Sequence, residues 1–325
     1  VTPLGLGQSK NWNDLISGKS GINFLNSFDA SDLSCRIGGE IPYGPSIEGK
    51  LDLSEWLSLK EQRKLDRFIM LGLVAAAEAI KDSNFSVVVD GVNSTGGIII
   101  PLILEKLNVK YTLLYCDPNG QFPHNPEPLE ENLKELSKAV ISNKADMGIA
   151  VDPDVDRLAF IDENGEMFGE EYTLVACADY ILSKKEGNSV SNLSSTLALS
   201  KITEKYGGEY FASAVGEVNV VRLMKLKNAI IGGEGNGGVI LPELHYGRDA
   251  IVGIALFLSL LAEKKISVSE LKKTYPQYYF SKNKITIDAK IDVDKLLCQI
   301  SKKYSDFNPL TIDGVKINFE NSWVH

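Results

Sequence analysis

The stretch Asp152-Pro153-Asp154-Val155-Asp156-Arg157 constrains this chain more than any other. Aspartates fall at every second position, a proline stiffens the run and an arginine closes it. Apolar strand patterns lie on either side, at 145–150 and 158–161, so the acids occupy a tight loop between two strands. Clustered carboxylates repel one another unless a cation sits among them. Hard oxygen donors suit Mg2+ or Ca2+ rather than zinc. The planar fork of Arg157 suits a phosphate. An EF-hand fails: Arg157 stands where that loop needs Gly, and the flanks are not helical, although Glu163 falls at the twelfth position. A solvated acidic turn remains as the plain alternative.

The rest of the middle alternates strand and helix, which makes the chain an α/β protein. A β-branched run, 86–90, is followed by the glycine turn 91–97 and a helix over 98–107. That turn lacks the Lys of a P-loop, so a plain βα turn is favoured over a phosphate cradle. A strand is expected at 113–116 and a helix at 129–141. Glu170 and Glu171 open a helix to about Leu182, where their charge meets the positive end of the helix dipole. Ser194, Ser195 and Thr196 offer caps for a helix over 197–206, and 208–215 alternates like a strand. Ala229-Ile230-Ile231 feeds a second special loop, Gly233-Glu234-Gly235-Asn236-Gly237-Gly238. It satisfies GxGxxG, yet an extended, proline-broken segment follows where a dinucleotide site needs a helix. Glu234 and Asn236 supply an acceptor and an amide suited to vicinal hydroxyls, and the glycines let a ligand approach the backbone. A hairpin turn without a ligand is the alternative. His245, Arg248 and Asp249 open a helix to about Ala262; Asp249 reads as structural, and nothing in the sequence supports a cationic role for Arg248.

A length of 325 residues suggests two or three domains, and 44% hydrophobic with 24% charged residues is a soluble globular composition. A net charge of −9 with no basic run argues against a nucleic-acid partner. No apolar run reaches membrane-spanning length. Cys35, Cys116, Cys177 and Cys298 are scattered, so reduced, mostly buried thiols and a cytoplasmic location are expected. No internal repeat is evident.

The loop at Asp152, Asp154, Asp156 and Arg157 resembles the metal loop of the α-D-phosphohexomutases, which include phosphoglucomutase, phosphomannomutase and phosphoglucosamine mutase. The loop at 233–238 is similar to that family's sugar-specificity loop, and the two stand in the family's order. The resemblance runs from about residue 84 to the end. It implies tandem α/β/α domains at 84–168 and 169–266, and a partial α+β domain at 267–325 with a short helix, a strand at 284–287, a helix at 293–304 and an Asp313-Gly314 hairpin. It implies Mg2+ on Asp152, Asp154 and Asp156, Arg157 in catalysis, and Glu234, Asn236, Gly237, Gly216 and Glu217 at the substrate. Many relatives carry Ser at the position of Asn236 and His at that of Gly238, which leaves the preferred sugar open. The implied partners are a hexose phosphate or bisphosphate, and a homodimer is allowed.

In that family a serine ahead of His-Asn-Pro carries the transferable phosphate. Here Pro123 precedes His124-Asn125-Pro126, and the stretch 122–128 is closer to a second-domain loop of the same family. No candidate phosphoserine is found, and catalysis by this chain alone is expected to be lost or very weak. Residues 1–83 instead resemble the start of β-ketoacyl-acyl-carrier-protein synthase II, at 1–7, 12–22 and in a helix from Lys60 to about Ile80. This implies a foreign, mostly helical N-terminal segment joined near residues 83–84, whether by misassembly, natural fusion or engineering. The synthase nucleophile and its histidines have no counterpart here. The segment lacks most of its native core partners, so exposed apolar surface is expected.

Overall fold

The computed structural model describes residues 1–63, 67, 70–71, 74–75, 77–78, 85–279, 281, 283, 285–286, 288, 291–320 and 322–325. The chain forms two compact units, Val1–Ser83 with Lys106–Asn108, and Asn84–Glu105 with Val109–His325.

In the first unit, helix Gln8–Ile16 is followed by a short antiparallel ribbon, β1 (Ile22–Phe24) with β2 (Ile37–Gly39). A one-turn helix, Leu59–Gln62, begins where the long helix was expected; parts of its continuation to residue 80, and the expected junction at 83–84, lie outside the described residues. Residues 67, 70, 71, 74, 75, 77 and 78 are all helical, in keeping with the helix expected from Lys60. Among the described residues of 1–63, irregular chain and a ribbon outweigh helix, because few apolar side chains find a partner: Phe24 is 71% and Ile47 96% exposed.

The second unit contains two sheets of one topology. The first has the order β4 (Lys110–Leu114), β3 (Ser86–Asp90), β5 (Met147–Val151), β6 (Leu158–Ile161). Strands β4 and β5 run parallel to β3, and β6 turns back antiparallel to β5. The second sheet has the order β8 (Tyr210–Ser213), β7 (Asn188–Asn192), β9 (Ala229–Glu234), β10 (Gly238–Ile240), with β8 and β9 parallel to β7 and β10 antiparallel to β9. A repeat is therefore present in topology although none is evident in sequence. What the two sheets share is burial: β3 and β7 are each buried at four of five positions, although β3 is a run of valines and β7, Asn188-Ser189-Val190-Ser191-Asn192, is mostly polar. The aspartate loop (β5–β6) and the glycine loop (β9–β10) hold equivalent places in the two sheets.

Leu133, Leu136 and Val140 pack on Val88, Ala150 and Ile161 in the first core; Val220 and Met224 pack on Val190 and Ile240 in the second. Phe160 of β6 stacks on Phe257 of helix Ala250–Lys264 with ring centroids 3.8 Å apart, and Phe168 meets Phe257 edge-on at 5.0 Å. These contacts lock β6, at the exit of the aspartate loop, to the helix that follows the glycine loop.

Smaller expectations shift. The strand expected at 113–116 is Lys110–Leu114, and Tyr115 leaves it with φ 51°. The helix expected at 129–141 is a 3-10 turn, Glu130–Asn132, then Lys134–Asn143. Helix Ala198–Lys205 has no side-chain bond from its N-cap Leu197; Thr196 Oγ1 accepts from Ala198 N at 3.3 Å instead. Cys177 is buried, but Cys35 and Cys298 are exposed, so the thiols are free without being mostly buried. Toward the C-terminus, helices Val268–Lys273 and Val293–Lys303 form, and Leu310 bridges Lys316 across the Asp313-Gly314 turn. The paired strands β11 (Ile317–Asn318) and β12 (Trp323–Val324) follow. The strand expected at 284–287 falls partly outside the described residues; Ile285 and Thr286 within it are not in a strand. Among the described residues no helix is long and apolar enough to cross a membrane.

Candidate functional site

The carboxyl ends of the parallel strands in both sheets gather the polar residues of this unit. This is where open α/β sheets place ligands. Asp90 ends β3, Val151 leads β5 into Asp152, Asn192 ends β7 and Glu234 ends β9.

The aspartate loop is shaped by its own backbone. Asp152 Oδ1 accepts the N–H groups of Asp156 and Arg157, each at 3.0 Å, which folds the loop around that carboxylate. Val155 takes φ 61°, a left-handed conformation that is costly for a β-branched residue. Its carbonyl accepts from Ala250 N at 3.0 Å, so the conformation is held by the start of helix Ala250–Lys264. From below, Ser94 and Thr95 donate their hydroxyls to Pro153 O at 2.9 and 2.5 Å. The 91–97 turn is thus a βα turn that braces the loop.

One oxygen each from Asp152, Asp154 and Asp156 lies within 4.8 Å of the others. Asp152 is 6% exposed. Burial, and then repulsion from Asp156 and Asp154, push its carboxyl up to about 7, against the lowering pull of the Arg157 N–H. Asp156 Oδ1 is buried without a hydrogen-bond partner. An all-oxygen set, a carboxylate destabilised by its neighbours and an orphaned carboxylate oxygen fit a small divalent cation. Arg157 Nε stands 3.5 Å from Asp152 Oδ2 and 3.8 Å from Asp156 Oδ1, and its Nη1 donates to Glu127 Oε1 at 3.3 Å. Glu127 comes from the 122–128 stretch. In that stretch His124 Nε2 lies 3.0 Å from Asp90 Oδ2 and Nδ1 2.8 Å from the Asn125 carbonyl oxygen.

The glycine loop lies against the aspartate loop. Leu158 N donates to Gly237 O at 3.2 Å. Gly237 has φ 89°, and a Cβ there would stand 2.3 Å from Leu158 O, so only glycine fits this approach. Glu234 is 4% exposed. Its Oε1 accepts from Asn192 Nδ2 at 2.8 Å and from Gly216 N at 3.2 Å, and its Oε2 from Arg248 Nη1 at 2.9 Å. A carboxylate offers about four acceptor directions, so about one remains for a guest. Asn236 Oδ1 accepts from Gly238 N at 3.3 Å. Gly216 is the N-cap of helix Glu217–Lys227, and Glu217 Oε2 stands 3.3 Å from Arg248 Nε. The residues singled out in the sequence are therefore brought into one neighbourhood.

The sequence marks Arg248 at the start of a helix and leaves a cationic role for it without support; its partners come from the fold. Its guanidinium pairs with Asp156, Glu234 and Glu217 together. Burial works against its charge, and Asp156, Glu234 and Glu217 outweigh that and raise its pKa. Asp249, as expected, is structural: it caps the following helix by accepting from Ile251 N and Val252 N, and it holds His245 at 2.9 Å.

Comparison with known proteins places this arrangement. Residues 67–165 match the profile of phosphoglucomutase/phosphomannomutase alpha/beta/alpha domain II, and residues 169–279 that of domain III. Residues 1–100 match the N-terminal domain of β-ketoacyl synthases, which overlaps the domain II match at its start. The chain is 36% identical over 281 residues to a phosphoglucomutase/phosphomannomutase of Thermococcus kodakarensis, covering 83% of this chain and 61% of the relative. It is 32% identical over 284 residues to a phosphoglucosamine/phosphogalactosamine mutase of Sulfurisphaera tokodaii, covering 83% and 62%. The chain thus spans about three fifths of the length of these relatives. Among solved structures, a phosphoglucomutase/phosphomannomutase family protein from Burkholderia thailandensis shares the fold with TM-score 0.64 at 23% identity, covering 77% of this chain and 56% of that one.

Proposed function

We propose that this chain, which over residues 67–165 and 169–279 belongs to the phosphoglucomutase/phosphomannomutase family, binds a divalent cation, Mg2+, at Asp152, Asp154 and Asp156 and a hexose phosphate or bisphosphate beside it at the glycine loop. The observation that carries this reading is the direct seam between the two loops. Leu158 N on Gly237 O sets the three-aspartate loop and the glycine loop side by side, which supports a cation and a sugar bound next to each other.

In this family reading the reaction is an intramolecular phosphoryl transfer by way of a phosphoserine and a sugar bisphosphate. Charge spreads over the phosphoryl oxygens during such a transfer, and a bound Mg2+ would neutralise part of it. Arg157, pinned on one side by Glu127, presents its guanidinium to the same oxygens and stabilises the moving group. Glu234 and Asn236 orient the sugar through its hydroxyls, with Gly237 allowing close approach; Gly216 and Glu217 hold Glu234 and Arg248 in place. No serine of this sequence stands ahead of His-Asn-Pro, so we read the chain as binding its ligands without turning them over.

Calorimetry with Mg2+ and a hexose 1-phosphate tests the binding half; absence of both heats overturns it. A coupled assay for hexose 6-phosphate, with hexose bisphosphate supplied, tests the catalytic half: robust turnover by the purified chain refutes the expected inactivity. The synthase-like segment brings no competing chemistry. Cys35 is exposed with its Sγ donating to Ile37 O at 3.4 Å, and His124, His245 and His325 all belong to the other compact unit.

A further inference from the structure

Arg248 reaches the site from the segment between β10 and helix Ala250–Lys264, and it joins three elements that are far apart in sequence. Nη2 pairs with Asp156 Oδ2 of the aspartate loop. Nη1 donates to Glu234 Oε2 at 2.9 Å, at the end of β9. Nε stands 3.3 Å from Glu217 Oε2, and the backbone N of Arg248 donates to Glu217 Oε1 at 3.3 Å. The side chain is only 15% exposed. It gets there by crossing Gly238: a Cβ at that position would lie 2.4 Å from Arg248 Cδ. The side chain therefore depends on a missing one.

We propose that Arg248 is a built-in counter-ion for the cation site: it holds Asp156 when no metal is bound, and metal binding displaces it from Asp156 toward Glu234 and Glu217, which couples the metal site to the glycine loop. This rests on the metal reading above. Asp156 Oδ1 has no hydrogen-bond partner while Nη2 holds Oδ2; a guanidinium bonded to a carboxylate draws on its charge and repels an incoming cation, whichever oxygen that cation uses. Displacement does not leave the guanidinium bare, because Glu234 and Glu217 keep it paired. It does free one edge of the fork beside the loop read as the sugar contact, where a hydroxyl or phosphate oxygen can accept from it. Arg248 is thus a positioning residue that acts through Asp156 and Glu234.

The test is a calorimetric titration of the full chain with Mn2+ and with Mg2+ for wild type, Arg248→Met, Arg248→Lys and Gly238→Ala. Arg248→Met keeps the apolar stem and removes the charge, so it is expected to bind metal about tenfold more tightly. Gly238→Ala pushes the stem aside and is expected to tighten binding in the same direction, while Arg248→Lys stays near wild type. A residue that merely props up the loop predicts the opposite sign for Arg248→Met. If wild type binds metal and Arg248→Met binds equally or less tightly, the counter-ion role is overturned and the metal site stands. If no form binds metal, both fall together. Should Arg248→Met fail to fold, the wild-type protein decides: the Arg248 Nε–H resonance in 15N spectra is expected to shift on metal saturation along with the Gly238 amide, and an unmoved Arg248 signal overturns the proposal.

Discussion

Replacing Asp152 by Asn removes one charge from the aspartate loop and leaves its shape. Asp152 Oδ1 accepts two backbone N–H groups at 3.0 Å, and an amide oxygen accepts them equally well. In the metal-free protein the carboxyl sits at about 7 against an ordinary 3.8. Between those two values the folded chain keeps a proton that the unfolded chain gives up, so metal-free stability falls as pH rises through that window and is level above about 7. About three pKa units correspond to at most about 4 kcal/mol, and relaxation of the loop with entry of water reduces that to about 1–3 kcal/mol. Asp152→Asn is neutral throughout. In EDTA at pH 8 it is expected to be more stable than wild type by that amount, and at pH 4 the two should nearly coincide. Urea unfolding followed by far-UV circular dichroism measures both. With Mg2+ added at pH 8 the order reverses, because only wild type gains binding energy. A variant that is less stable than wild type at pH 8 in EDTA refutes the reasoning, since it makes the carboxylate a net stabiliser without any cation.

Other consequences follow from the same geometry. Below pH 7, Mg2+ binding should release about one proton per ion and weaken as pH falls, because Asp152 must give up its proton first; calorimetry in buffers of different ionisation heat counts it. Gly237→Ala places a Cβ 2.3 Å from Leu158 O at φ 89° and should cost about 1–3 kcal/mol in urea unfolding; an unchanged midpoint would contradict the seam between the loops. Ser94→Ala with Thr95→Val removes both hydroxyls from Pro153 O; the fold should survive while Mg2+ affinity drops about tenfold, and unaltered affinity would show that the brace is idle.

The two loops were readable because their signals are local. Alternating aspartates between apolar runs, and glycines at the end of a strand, specify a turn between paired strands within a few residues. Asp249 was readable as structural for the same reason, since a cap acts on the next turn of its own helix. The repeated sheet was not readable: strand order comes from pairings such as Val88 with Gly148, set by burial and not by matching residues. Arg248 was hidden because its partners Asp156 and Glu234 lie 92 and 14 residues away. The nearest sequence signal was Gly238, whose lack of a side chain makes room for it. The left-handed Val155 could not be foreseen either, since the residue type argues against that conformation and only the bond from Ala250 N explains it. Over residues 1–63 the expectation of mostly helix came from resemblance, and the described residues hold helices Gln8–Ile16 and Leu59–Gln62 among a ribbon and irregular chain.

The claim on which the rest depends is that Asp152, Asp154 and Asp156 jointly hold one small divalent cation next to the glycine loop. The most direct measurement is a crystal grown with Mn2+ and phased at the manganese absorption edge. The account requires one anomalous peak within about 2.5 Å of an oxygen from each aspartate, with Leu158 N still on Gly237 O. Three aspartates splayed into solvent at millimolar Mn2+, with no peak between them, would contradict it.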